Sequence, residues 1–156
     1  KSFSDVTVDA GVDVISFGGT KNGAIGAEAV ISFDEEISKA IPYVRKSAMQ
    51  LSSKMRFISA QILALLEDDL WKSSATHANE MAKRLSQGVS DVVQITKPVD
   101  ANAVFAILPE KVIAKLQEEF HFYVWDHTTG ECRWMCSWDT TEEDVERFIS
   151  AIRKSI

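Results

Sequence analysis

Cysteine is scarce in this chain of 156 residues, which contains only Cys132 and Cys136. Two cysteines are too few for a disulfide scaffold, and their C-x-x-x-C spacing has no second pair with which to complete a zinc site. The three histidines, His77, His121 and His127, also have no metal-binding partner at a useful spacing. We therefore expect no metal centre, and we expect both thiols to be inert core groups.

Long apolar runs and an excess of basic charge are also missing. No apolar stretch approaches the length of a membrane span, and the N-terminus has no basic segment followed by a hydrophobic signal core. There are 17 Lys and Arg against 23 Asp and Glu, and the resulting net charge of −6 argues against binding of nucleic acid. Composition predicts a soluble, cytoplasmic domain without a membrane or nucleic-acid partner.

What the chain does have is a lysine in a glycine-rich segment. Residues 16–23 have the sequence S-F-G-G-T-K-N-G, and Lys21 lies between two runs rich in β-branched and aromatic residues, 12–17 and 27–33. Such runs predict strands, and a connection this short requires antiparallel pairing if the two strands are neighbours. The glycines allow positive φ angles and the close approach of another group.

Two kinds of nucleotide-binding loop are excluded for Lys21, and two other roles stay open. The glycines form neither G-x-x-x-x-G-K-[ST] nor G-x-G-x-x-G. A solvated turn lysine remains possible. The other role is that of an amine in a partly desolvated pocket, which attacks a carbonyl and forms a Schiff base. Spacing alone does not decide between them.

A longer match favours the second role. Residues 11–30, G-V-D-V-I-S-F-G-G-T-K-N-G-A-I-G-A-E-A-V, closely resemble the cofactor-lysine segment of threonine aldolases, which are pyridoxal-phosphate enzymes of fold type I. The similarity continues through 46–61, 102–105 and 133–141, and so covers nearly the whole chain. It implies that Lys21 is the Schiff-base lysine for pyridoxal 5'-phosphate.

The resemblance also assigns roles to three other basic residues. The string R-W-M-C-S-W-D-T-T, which begins at Arg133, matches the family segment whose arginine binds the substrate's α-carboxylate. A guanidinium fork suits this task, although position alone would make Arg133 a solvated strand residue. Arg56 is the first implied ligand of the cofactor phosphate, and Lys54 is the second. The alternative is that both belong to a solvated helix face. Asn102 either orients a loop near the site or forms a turn.

The implied activity is that of a lyase. It cleaves β-hydroxy amino acids such as L-threonine or L-allo-threonine to glycine and an aldehyde, and it works as a homo-oligomer, either a dimer or a tetramer. The resemblance places Lys21 late in the family's large domain, so it also implies that this chain is the C-terminal half of such an enzyme. Two alternatives stay open: another fold-type-I lyase, such as one that β-eliminates aromatic amino acids, and a noncatalytic fragment or dimerisation portion.

The predicted fold class is α/β, as the C-terminal part of a fold-type-I enzyme: the last strands of the large domain followed by a small α+β domain. Residues 1–35 would end the large cofactor-binding domain, and residues 36–156 would form connecting helices and the small domain. The apolar spacing predicts a helix from about residue 34 that bends or breaks at Pro42, and a mostly buried helix from Ser53. A third helix would stop at Gly88.

The last third of the chain is predicted to be a small antiparallel sheet with helices. The elements are strands 92–96 and 103–108, a helix 109–119, a hairpin with strands 122–125 and 131–138, and a final helix. A capping box at Thr140 with Glu143, or at Thr141 with Asp144, begins that helix. Alternation puts Arg133 on one face of its strand. The opposite face is predicted to point into the core, and it contains Cys132, Trp134, Cys136 and Trp138.

Overall fold

The computed structural model describes residues 2–156, which divide into two compact units. The first unit extends to Trp71, and the second runs from Lys72 to Ile156. This division follows packing, so the predicted domain boundary after residue 35 stays a prediction. None of the helices within residues 2–156 combines the length and the apolar character that a bilayer crossing needs.

The first unit contains a two-stranded hairpin and two helices. Strand β1 (Val14–Gly18) pairs antiparallel with β2 (Glu28–Ser32), as the short connection between them requires. Helix α1 (Glu35–Ser47) is capped by Asp34, whose carboxylate accepts the N–H of residue 37 at 2.7 Å, and helix α2 (Met55–Leu66) follows. The predicted antiparallel pairing is confirmed.

The prediction that α2 is mostly buried is wrong, and the predicted break at Pro42 is absent. Helix α1 continues through Pro42. Both Pro42 and Ser38, whose carbonyl loses its helical donor, are exposed, so solvent can replace the missing hydrogen bond. Helix α2 is apolar but not mostly buried, because Leu65 alone is buried while Leu63 is 67% exposed. The described residues thus leave most of the apolar surface of α2 uncovered.

The second unit is the predicted α+β arrangement. Its four-stranded antiparallel sheet has the order β3-β4-β6-β5. The strands are β3 (Gln94–Ile95), β4 (Ala103–Ile107), β5 (Tyr123–Asp126) and β6 (Glu131–Met135). The helices are α3 (Leu70–Val89), α4 (Glu110–Gln117) and α5 (Glu142–Ser155).

The hydrophobic core of the described chain lies in this second unit. One face of β4 and β6 packs with all three helices, through side chains that include Val104, Cys132, Leu85, Leu116 and Ile152. The predicted core face of β6 is confirmed for Cys132, Trp134 and Cys136. Burial raises the pKa of both thiols to about 11, which makes the nucleophilic thiolate scarce at neutral pH. Trp138 is 46% exposed instead, because β6 ends at Met135.

Gly88 does not stop α3, which ends at Val89. A Cβ atom on Gly88 would lie 2.3 Å from Cδ1 of Ile149, so the missing side chain allows α5 to approach α3 closely. Arg153 of α5 reinforces this approach, because its Nη2 donates to the Gly88 carbonyl at 2.7 Å. Gly88 therefore permits close helix packing, although a glycine near the end of a helix is more typical of a C-terminal cap.

Helix α5 begins with the second of the two predicted capping boxes. Thr141 Oγ1 accepts the Asp144 N–H at 3.1 Å, and the Asp144 carboxylate accepts the Thr141 N–H at 3.1 Å. These bonds satisfy donors that a helix N-terminus otherwise leaves unpaired.

Replacing Thr141 by Ala should lower the free energy of unfolding by about 1 kcal/mol, the usual cost of a lost cap. Urea denaturation at pH 7 measures this change. Thr141→Ser is the matched control, because it keeps the hydroxyl and should unfold at nearly the same urea concentration as the wild type. Equal midpoints for Ala and wild type would contradict the role of the cap.

The cap also predicts a pH dependence. Hydrogen bonds from Thr141 hold the pKa of Asp144 below its ordinary value of 3.8. A carboxyl whose pKa is depressed on folding stabilises the protein above its unfolded pKa, and this stability is lost as the pH falls through the folded pKa. Asp144→Asn should therefore destabilise the protein near neutral pH, and this difference should disappear as the pH falls below 3.8 and through the lower pKa of the folded protein. A constant difference across the pH range would contradict this account.

Candidate active site

Lys21 lies in the connection between β1 and β2, in a single 3-10 turn, Thr20–Asn22. The residue is exposed. Its ammonium group forms no hydrogen bond or ion pair with any of residues 2–156. No carboxylate of the described residues therefore pairs with the amine that this loop exposes.

The backbone on both sides of Lys21 is closed by hydrogen bonds at Gly19. The Gly19 N–H donates to the Ala27 carbonyl at 2.9 Å, and the Gly19 carbonyl accepts from the N–H groups of Asn22 at 2.9 Å and Ala24 at 3.1 Å. A Cβ atom on Gly19 would lie 2.6 Å from the Ala27 carbonyl oxygen, so a side chain here would open the loop. Gly23 has a φ of 103°, which favours glycine.

Side chains from outside the loop fix it further. Asn22 Nδ2 donates to the carbonyl of Trp71 at 2.9 Å, and Gln61 Oε1 accepts the N–H of Ile25 at 2.8 Å. The rings of Phe17 and Trp71 meet edge to face at 5.9 Å. We did not single out Asn22, Gln61 or Trp71 from the sequence. The available signals were an asparagine directly after the lysine and a polar residue within an apolar helix.

Lys54 and Arg56 lie at the start of α2. Lys54 is the residue that precedes the first turn, and Arg56 lies within that turn with its guanidinium 4.8 Å from the centre of the Phe57 ring. Both are exposed, and neither forms an ion pair with a carboxylate of the described residues. A helix N-terminus with two free cations favours an anion. No hydrogen bond or ion pair within residues 2–156 joins them to Lys21.

Arg133 lies on the sheet face that points away from the core. It is opposite Phe105 of β4 and Tyr123 of β5. Its guanidinium carbon is 5.1 Å from the centre of the Trp125 ring, and its Nε donates to the sulfur of Met135 at 3.1 Å. No carboxylate among residues 2–156 pairs with it. The arginine therefore keeps donors that fit a carboxylate ligand.

The predicted site residues belong to both units. Lys21, Lys54 and Arg56 are in the first unit, and Arg133 is in the second. Asn102 joins two strands of the second unit, because its Nδ2 donates to the Cys136 carbonyl at 2.7 Å and its own carbonyl accepts the Cys136 N–H at 2.9 Å. Among residues 2–156 no group of three His, Cys, Asp or Glu side chains is placed to bind a metal ion.

Two solved enzyme structures superimpose on nearly the whole of this chain. A threonine aldolase from Leishmania major superimposes with a TM-score of 0.86 and 26% identity, over 94% of this chain and 44% of that one. A serine palmitoyltransferase from Sphingomonas wittichii is 17% identical and superimposes with a TM-score of 0.69 over 98% of this chain and 42% of its own, which supports the fold alone. The predicted fold class, α/β of fold type I, is confirmed.

Comparison of the amino-acid sequence with known families identifies the family of this chain. The model of the beta-eliminating lyase family matches residues 3–111. The chain belongs to the beta-eliminating lyase family, whose members are pyridoxal-phosphate enzymes. Low specificity L-threonine aldolases from Pseudomonas sp. and from Pseudomonas aeruginosa are each 42% identical to it over 153 residues. Those residues are 96% of this chain and 44% of each relative, so the chain spans less than half of their length. The predicted resemblance is confirmed.

The residues present fit the cofactor that the family uses. An aldehyde needs an amine that can react, and Lys21 offers one that is not engaged in an ion pair within residues 2–156. A phosphate needs cations and free N–H groups, which the start of α2 provides next to Lys54 and Arg56. The chemistry of these donors suits pyridoxal phosphate.

Replacing Asn22 by Ala should loosen the lysine loop, because the hydrogen bond to the Trp71 carbonyl is lost. A net loss of about 1 kcal/mol corresponds to roughly fivefold faster local opening. Amide hydrogen exchange at Asn22 and Ala24 measures it. Thr20→Ala is the control, since its hydroxyl makes no hydrogen bond within the described residues. Unchanged exchange in Asn22→Ala would show that the backbone alone holds the loop.

Proposed function

We propose that this chain is part of a threonine aldolase, a pyridoxal-phosphate-dependent lyase that cleaves L-threonine or L-allo-threonine to glycine and acetaldehyde. The observation that carries the proposal is Lys21, an unpaired amine in an anchored loop of a chain that is 42% identical to two L-threonine aldolases. The substrate is a small amino acid, and the chemistry is cleavage of its Cα–Cβ bond.

Lys21 binds the cofactor covalently through Nζ. When bound, pyridoxal phosphate supplies an electron sink for the carbanion that forms at Cα. The loop is held in one conformation by the hydrogen bonds at Gly19 and by two further ones. Asn22 donates to the Trp71 carbonyl, and Gln61 accepts the Ile25 N–H. A preorganised backbone lowers the entropy lost when the amine is placed against the substrate.

Arg133 binds the α-carboxylate of the substrate. Its guanidinium can donate two parallel hydrogen bonds, which orient the carboxylate as well as attract it. Because the carboxylate is one of the substituents on Cα, fixing it limits which of the remaining bonds can break. The arginine thus contributes to binding and to the choice of reaction.

Arg56 and Lys54 bind the cofactor phosphate. The support is their place at the first turn of α2, where the helix dipole and unpaired N–H groups favour anions, and their lack of carboxylate partners within residues 2–156. Arg56 has the stronger case because its guanidinium can bind a phosphate through two donors.

The protein works as a cytoplasmic homo-oligomer in this proposal. The exposed apolar side chains of α1 and α2 support an assembly, because they would be covered in one. They include Tyr43, Val44, Phe57, Leu63 and Leu66.

Lys21→Ala should abolish the release of acetaldehyde from L-threonine, with kcat lower by about a thousandfold or more. The assay uses the protein in its natural full length. Lys83→Ala removes an exposed lysine of α3 and should keep the wild-type rate. Ammonia and pyruvate without any aldehyde would contradict the aldolase reaction and indicate the elimination chemistry for which the family is named.

Arg133→Ala should raise KM for L-threonine by about tenfold to a hundredfold, since charged hydrogen bonds contribute about 1.5 to 3 kcal/mol. Arg133→Lys keeps the charge and loses the fork, so its KM should lie between those of Ala and wild type. Steady-state kinetics measures both. A KM unchanged in Arg133→Ala would show that another residue binds the carboxylate.

A further inference from the structure

The strand next to Arg133 has an irregularity that concerns Trp125. Val124 pairs with Cys132 and Asp126 pairs with Glu131, so Trp125 is an extra residue that has no partner of its own on β6. Such a bulge redirects a side chain and interrupts the regular ladder. Here the redirected side chain is the indole that lies against the Arg133 guanidinium, with 5.1 Å between the guanidinium carbon and the ring centre.

The Trp125 ring is itself held in place. Phe105 of β4 meets it edge to face, with 5.6 Å between ring centres and an angle of 82°. Lys97 Nζ lies 3.8 Å from the centre of the Phe105 ring and pairs with Glu131 at 3.4 Å. The indole therefore forms a fixed platform, although its own surface is 53% exposed.

Two contacts orient the arginine on that platform. The Trp125 ring lies against the guanidinium, an attraction of the cation–π type. The Met135 sulfur accepts the Nε–H at 3.1 Å. The Nη donors have no carboxylate partner within the described residues, whereas the neighbouring cation Lys97 is already paired with Glu131. Of these two cations, Arg133 is the one left for a carboxylate ligand.

We propose that Trp125 is a positioning residue that, together with Met135, holds the Arg133 guanidinium ready to receive the α-carboxylate of the amino-acid substrate. This inference rests on the role proposed above for Arg133. Trp125 acts through the arginine, so its effect belongs to substrate binding. A platform of this kind lowers the entropy that the flexible arginine loses when the carboxylate binds.

The test is Trp125→Leu, with L-threonine as substrate and the protein in its natural full length. KM should rise about two- to fivefold, the range expected for an exposed cation–π contact, while kcat stays within about twofold. Trp125→Phe keeps an aromatic face and should restore most of the affinity. Tyr123→Leu is the matched control. Tyr123 is an exposed aromatic residue of the same strand and lies opposite Arg133, but within residues 2–156 its ring makes no cation–π contact with the guanidinium.

A second readout does not depend on activity. In arginine-labelled protein, the Nε–H proton of Arg133 is assigned by its absence in Arg133→Lys. This proton should shift more in Trp125→Leu than in Tyr123→Leu, because the Trp125 ring is the one that lies against the guanidinium. Met135→Leu, which removes the acceptor and keeps the volume, should also shift this proton and raise KM. It provides the same test if Trp125→Leu does not fold.

Three results would overturn the inference. The first is a wild-type KM in both Trp125→Leu and Met135→Leu. The second is a KM that rises as much in Tyr123→Leu as in Trp125→Leu. The third is a fall in kcat in Trp125→Leu while its KM is unchanged. The Arg133→Ala variant separates this failure from failure of the proposed function. If Arg133→Ala raises KM and Trp125→Leu does not, the arginine binds the carboxylate without the platform. If Arg133→Ala leaves KM unchanged, the carboxylate role itself is wrong.

Discussion

The hydrogen bond from the Gly19 N–H to the Ala27 carbonyl, 2.9 Å long, is the contact on which the candidate site depends. It continues the β1–β2 ladder by one step and closes the loop, so that Lys21 lies in one turn of defined backbone. Any side chain at Gly19 would lie 2.6 Å from that carbonyl oxygen and would break the closure. A lysine on a closed, anchored loop has a definite place at which to bind a cofactor.

In the second unit the corresponding constraint is alternation along β6. Trp134 is buried against the helices, so its neighbour Arg133 must point to the opposite face. The core thus determines where the arginine lies, and the exposed aromatic residues determine how its guanidinium is held. The bulge at Trp125 belongs to the second task, because a regular strand would pair this residue with Glu131 instead.

Features set by local chemistry could be predicted from the sequence. Composition indicated the strands around Lys21, and the Thr141 and Asp144 spacing indicated the cap of α5. The interpretation of Gly88 failed because it depends on a contact between distant residues. Gly88 was interpreted as a cap because its contact with Ile149, 61 positions later, leaves no local trace. The anchors of the lysine loop and the aromatic platform under Arg133 were missed for the same reason.

The central claim is that Lys21 binds pyridoxal phosphate, and reduction with borohydride followed by peptide mapping tests it most directly. The protein in its natural full length is incubated with pyridoxal phosphate, reduced and digested, and the modified peptide is identified by mass spectrometry. The account predicts a single pyridoxyl adduct on Lys21 that disappears in Lys21→Arg. Labelling spread over surface lysines, with Lys21 unmodified, would contradict it.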